Sequence, residues 1–164
     1  MNIEKMFEMQ CELDERMIKE HRLEGQDLLP NMVLALQVEI AELANEWRGF
    51  KHWSNNREPG NTLEEYVDCL HLFLSIARQL NLPEDDFCIT DEVERSGTTV
   101  LFIELFKNVG MINDIPKKYK QQFLKIALSH FFEIGVRLGF RWEQIEQAYM
   151  KKNKVNHQRQ DQGY

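Results

Sequence analysis

The chain has 164 residues, of which 43% are hydrophobic, and its 20 basic and 27 acidic side chains give a net charge of −7. That length suits one domain around a single core, and the composition excludes a disordered tail and a membrane-embedded chain. The acidic balance argues against a general binder of polymeric nucleic acid, which carries a basic face. Eight glycines and four prolines are too few for a turn-rich sandwich or barrel.

Apolar residues recur at helical spacing along most of the chain. Met6, Met9, Leu13 and Met17 make one stripe of a first helix over about 3–21. Pro30 is placed to open a second, with Val33, Leu36, Ile40, Leu43 and Trp47 facing a core and Gly49 ending it. The polar stretch 51–61 reads as a loop. Thr62 with Glu65 predicts a capping box at the start of a third helix, which runs to about Leu80 with Val67, Leu70, Leu74 and Ala77 inward. Residues 82–97 are acidic and turn-rich. Helices are expected over about 98–109, 117–138 and from Arg141 towards His157. The predicted fold is all-α, a single-domain bundle of five to six helices.

Cys11, Cys69 and Cys88 are odd in number and form no C-x-x-C pair. Neither a disulfide framework nor a thiolate zinc site is indicated, and Cys11 and Cys69 read as buried thiols. Residues 1–10 contain no signal-peptide core, and no apolar run reaches membrane-spanning length. A cytoplasmic location and no membrane partner are therefore expected.

The chemistry lies in carboxylates. Glu39 and Glu42 are three residues apart on the second helix, and Glu65 and Asp68 share that spacing on the third, with His71 one turn later. Residues three or four apart share a helix face. If the two helices pack antiparallel, four carboxylates converge, and such a cluster repels itself unless cations neutralise it. Hard oxygen ligands suit Mg²⁺ or Mn²⁺. Read alone, one E-x-x-E is an ordinary solvated helix face, and Glu65 is also placed to cap its own helix. A di-iron bundle wants two Glu-x-x-His motifs, and only Asp68-x-x-His71 comes near that pattern.

The C-terminal segment 151–164 carries Lys151, Lys152, Lys154 and Arg159 against Asp161, a charge of +3 within an acidic chain. Taken alone it reads as a solvated helix end. Together with a carboxylate site it could clamp a nucleoside triphosphate. Phe50, Lys51, His52 and Trp53 form an aromatic-basic patch in which Trp53 could stack on a base or cap the core. Gln10 and Asp14, one turn apart, could read the polar edge of a base or sit on the surface.

These residues resemble the dimeric, all-α dUTPase family, within the wider all-α NTP pyrophosphatases. The resemblance rests on E-x-x-E at Glu39 and Glu42, F-K-x-W-S at 50–54, E-x-x-D-x-x-H from Glu65 to His71, and the ending K-N-K-V-N-H-Q-R-Q-D-Q-G-Y, and it covers 10–164. It implies that Glu39, Glu42, Glu65 and Asp68 coordinate two or three Mg²⁺ ions, with Mn²⁺ an alternative. Glu42, or Glu39, would orient or deprotonate the attacking water. Gln10, Trp53, His71 and Asn153 would line the deoxyuridine pocket. Lys51, Lys152, Asn156, Arg159 and Tyr164 would hold the phosphates. The reaction would be hydrolysis of dUTP to dUMP and pyrophosphate, with dUDP as a second substrate, carried out by a homodimer. The family often has Asn where this chain has Asp14. An ionised Asp only accepts hydrogen bonds, so Asp14 leaves open activity on dCTP or a different local role. The other readings are a pyrophosphatase acting on dCTP or several nucleotides, and a non-catalytic helical interaction protein.

Overall fold

The computed structural model describes residues 2–87 and 96–163. They form six α-helices: α1 (Ile3–Glu20), α2 (Leu29–Trp47), α3 (Thr62–Gln79), α4 (Thr98–Asp114), α5 (Lys117–Arg137) and α6 (Trp142–Asp161). A 3₁₀ turn, Glu84–Asp86, lies between α3 and α4. There is no strand among the described residues, so the fold is the all-α bundle expected. Cys88 lies outside the described residues. No helix among them is long and apolar enough to cross a membrane.

α3 occupies the centre. Tyr66, Val67, Cys69, Leu70, His71, Phe73, Leu74, Ser75, Ile76 and Ala77 are all buried, so nearly the whole circumference of the helix is covered. α1, α2, α5 and α6 surround it, and α4 closes the bundle against α2 and α5. Tyr66 stacks on Phe131 of α5 with ring centroids 4.1 Å apart. One turn further along α5, Gly135 admits this ring, because a Cβ there would stand 2.6 Å from the Tyr66 hydroxyl.

The ends of the helices differ from expectation in four places, the first being α4, which runs on past about 109 to Asp114. Arg48, not Gly49, takes the left-handed conformation that ends α2 (φ 62°). Gly49 is needed for a different reason, since a Cβ there would run into the Trp47 indole. The capping box at Thr62 and Glu65 does not form: Asn61 is the cap residue and Thr62 is already helical, which leaves Glu65 for other work. α6 continues to Asp161, so most of the basic segment is helix rather than frayed chain. Cys69 is buried, but Cys11 is half-exposed, its thiol donating to Glu15 at 3.2 Å.

The loop joining α2 to α3 is tied back at its end. The Glu46 carboxylate accepts from the Asn61 backbone N–H at 2.8 Å, and the Glu46 carbonyl accepts from Gly60 N–H at 2.9 Å. The carboxylate lies where a Cβ of residue 60 would be, so only glycine fits there. This closure fixes the start of α3 against the end of α2, and with it the two acidic helix faces.

Candidate active site

Glu39 and Glu42 project from α2 and Glu65 from α3, and one carboxylate oxygen of each lies within 4.8 Å of the others. Three like charges at this distance are mutually unfavourable. The half-buried Glu39 responds most: burial first, then Asp68, Glu42 and Glu65, push its carboxyl up to about 7, against an opposing pull from Lys152. Burial and the neighbouring Asp68 and Glu42 raise Glu65 as well. A focus of hard oxygen donors with too little positive charge is what a divalent cation fits.

Asp68, the fourth carboxylate, is held by Lys152 of α6 at 2.5 Å. The same ammonium lies 3.6 Å from Glu64. Burial raises the Asp68 carboxyl, and its hydrogen bond and charge interaction with Lys152 act the other way.

Beside these carboxylates is a cleft of about 640 Å³ between α1, α2, α3 and α6. Gln10 and Asp14 line it from α1, Glu39 from α2, Asp68, His71 and Ser75 from α3, and Lys152, Asn156 and Arg159 from α6. The last three are spaced four and three residues apart, one face of a helix. Asn153 is turned away from that face: it does not line the cleft and is buried, with Nδ2 lacking a partner. Lys51 and Trp53 also stand outside the lining. Lys51 donates to the backbone carbonyl and the side chain of Asn45, at 3.1 and 2.5 Å, and Trp53 is 67% exposed, edge-on to Phe50 and His52. The left-handed turn at Arg48 sends this loop off the helix axis. Tyr164 lies outside the described residues.

His71 sits only 6% exposed, stacked on Tyr149 at 4.1 Å, with Nδ1 2.7 Å from Gln10 Oε1. Burial, aided by the Lys152 charge, lowers its pKa to about 3, so the ring is neutral. Its Nε2 is buried without a partner.

Gln10 and Asp14 do not offer the open polar edge expected of them. Gln10 Nε2 donates to Asp14 Oδ1 at 2.8 Å and to Ser75 Oγ at 2.9 Å, while Gln10 Oε1 accepts from Tyr149 at 2.9 Å. With His71 on the same oxygen, the Gln10 side chain is fully occupied. Asp14 also accepts from Ser75 at 2.8 Å and pairs with Arg78 at 2.5 Å. Burial raises the Asp14 carboxyl, and Gln10, Ser75 and Arg78 each act against that rise.

Sequence reasoning passed over Ser75, Arg78 and Tyr149. The first two had a signal, because Asp68, His71, Ser75 and Arg78 are spaced three, four and three apart, a single stripe of α3. Tyr149 reads as one more core aromatic.

No curated protein sequence matches the chain significantly. A family model described as dUTPase matches residues 2–164. With an all-α fold, a convergent acidic cluster and a cleft that Lys152 and Arg159 line from one side, the chain belongs to the dUTPase family and is a dUTP diphosphatase.

Proposed function

We propose that this dUTP diphosphatase works with divalent cations, Mg²⁺ by preference, held by Glu39, Glu42 and Glu65 and joined by Asp68 once Lys152 releases it. The observation that carries this reading is the approach of three carboxylates from two helices with too little positive charge to balance them. Bound Mg²⁺ would neutralise that cluster and polarise the phosphate oxygens of dUTP.

The chain's own residues account for the rest. Glu42, the exposed member of the cluster, would orient the attacking water and take its proton. Water adds to one phosphorus of the α–β bridge, the bond joining the nucleoside monophosphate to pyrophosphate breaks, and the displaced group leaves with the electron pair. Lys152, Asn156 and Arg159 line the cleft on one face of α6, and they supply donors for phosphate oxygens as charge builds on the leaving group. His71 and Gln10 define the base end. Lys51, Trp53 and Asn153 are given no contact with substrate in this reading.

The exposed apolar residues Leu34 and Val38 of α2 and Val100 and Ile103 of α4 support a homodimer. They are spaced at one helical turn on two helices packed against each other. A cytoplasmic location agrees with the chemistry of a free nucleotide pool. Pyrophosphate release from dUTP by the purified protein, with and without Mg²⁺, tests the catalytic reading.

A further inference from the structure

We propose that Asp14 and Arg78 are positioning residues: through Gln10 they fix His71 as the Nδ1–H tautomer, so that Nε2 accepts a hydrogen bond from the imide N3–H of uracil. The inference deepens the dUTPase reading and rests on it for the identity of the base.

The argument follows the hydrogen bonds inward. Arg78 lies 2.5 Å from Asp14 Oδ2 and keeps that carboxylate an acceptor. The Gln10 atom 2.8 Å from Asp14 Oδ1 must then be the amide nitrogen, and it donates to Ser75 Oγ as well. The amide oxygen is thereby turned to Tyr149 and to His71 Nδ1, 2.7 Å away. A carbonyl oxygen only accepts, so Nδ1 carries the ring proton. In a neutral ring Nε2 is then a bare lone pair. His71 lines the cleft, and its buried Nε2 makes no side-chain hydrogen bond, the Tyr149 backbone being the one protein group that hydrogen-bonds to the ring beside Gln10. An unmatched buried acceptor is costly, so the site favours a ligand that brings a donor.

Uracil N3 carries a hydrogen, whereas cytosine N3 carries a lone pair and would face Nε2 acceptor to acceptor. Asp14, which departs from the Asn usual in the family, is thus tied to Arg78 and does not itself touch the base. The selectivity it left open resolves towards dUTP.

The test uses the full-length protein with ¹⁵N-labelled histidine and the product-like probes dUMP and dCMP. The expected result has three parts. The free protein shows His71 as the Nδ1–H tautomer, dUMP shifts the Nε2 resonance, and dUMP binds roughly tenfold or more tighter than dCMP. In Asp14→Leu, which removes the acceptor that orients the Gln10 amide, the tautomers mix and the dUMP preference falls several-fold. Arg78→Met serves the same purpose if Asp14→Leu does not fold. An Nε2–H tautomer in the wild type overturns the proposal. So does an equal Nε2 shift with both nucleotides, which would place a sugar hydroxyl there. A preference unchanged in both variants overturns it too. Because these readouts need no turnover, a protein that passes them yet leaves dUTP intact would refute the catalytic reading alone.

Discussion

Lys152 of α6 reaches across to Asp68 of α3 at 2.5 Å, joining the basic C-terminal helix directly to the acidic face of the central one. The two residues are 84 positions apart, and their side chains are both mostly covered. The ammonium balances part of the acidic cluster, and in the proposed reading it moves from Asp68 onto a phosphate of the substrate. In that reading one residue links the state of the carboxylates to the arrival of substrate.

Lys152→Ala should therefore have two effects. It leaves Asp68 half-buried without its partner, costing about 1–3 kcal/mol of stability. It should also lower turnover of dUTP by 100-fold or more, the scale on which a cation facing transition-state charge acts. Mg²⁺ should restore stability more in this variant than in the wild type, because a cation at Asp68 replaces the missing ammonium. Thermal unfolding with and without Mg²⁺ measures this, and equal shifts in the two proteins would refute it.

The carboxylate cluster predicts a pH-dependent response to metal. The Glu39 carboxyl is raised in the folded protein to about 7. Its contribution to metal-free stability is therefore full below about 4.5 and is lost as pH rises through about 7. Mg²⁺ competes with the proton on Glu39, so it should raise the melting temperature more at pH 8 than at pH 6. Glu65→Gln should weaken the effect at both. A gain that does not vary with pH would count against Glu39 as a ligand.

His71 predicts the opposite slope at lower pH. Its folded-state pKa is depressed to about 3, so between there and its ordinary value near 6.5 the unfolded chain binds a proton that the folded chain does not. The stability contributed by a neutral His71 is full above 6.5 and is lost as pH falls. Urea unfolding at pH 7.5 and pH 5 should show the wild type losing roughly 2 kcal/mol more than His71→Gln, at about 1.4 kcal/mol for each pH unit below the ordinary pKa. Parallel losses in the two proteins would remove His71 from the account.

A charge on the apolar face of α2 and α4 tests assembly. Ile103→Glu places a carboxylate on the exposed side of α4, one turn from Val100, on the surface that a second copy would cover. Sedimentation should show a dimer for the wild type and a monomer for the variant. A wild-type monomer at micromolar concentration would rule out the homodimer.

Much of this was legible in the sequence because helices and their faces are local. Leu36, Ile40 and Leu43 announce the buried side of α2, and all three are fully covered. The same periodicity put Glu39 with Glu42 and Glu65 with Asp68, and antiparallel packing of α2 on α3 was enough to bring the two sets near one another. What stayed hidden depends on distant partners or on backbone conformation at helix ends. Nothing in the spacing announces that Arg78 will meet Asp14, 64 positions earlier. Nor does local pattern show that Arg48 will take a left-handed turn, or that Lys51 and Trp53 will stand outside the cleft lining. Asn153 falls outside the cleft lining for a simpler reason: it neighbours Lys152 in sequence, but adjacent helical positions point about 100° apart.

The most direct measurement is steady-state pyrophosphate release from dUTP by the wild type and by Glu42→Gln, each with and without Mg²⁺, alongside circular dichroism to confirm that both are folded. The wild type should turn over only with Mg²⁺, and the folded variant should lose at least about 100-fold of that rate. A folded Glu42→Gln protein with wild-type turnover, or a wild type indifferent to Mg²⁺, would contradict the carboxylate site.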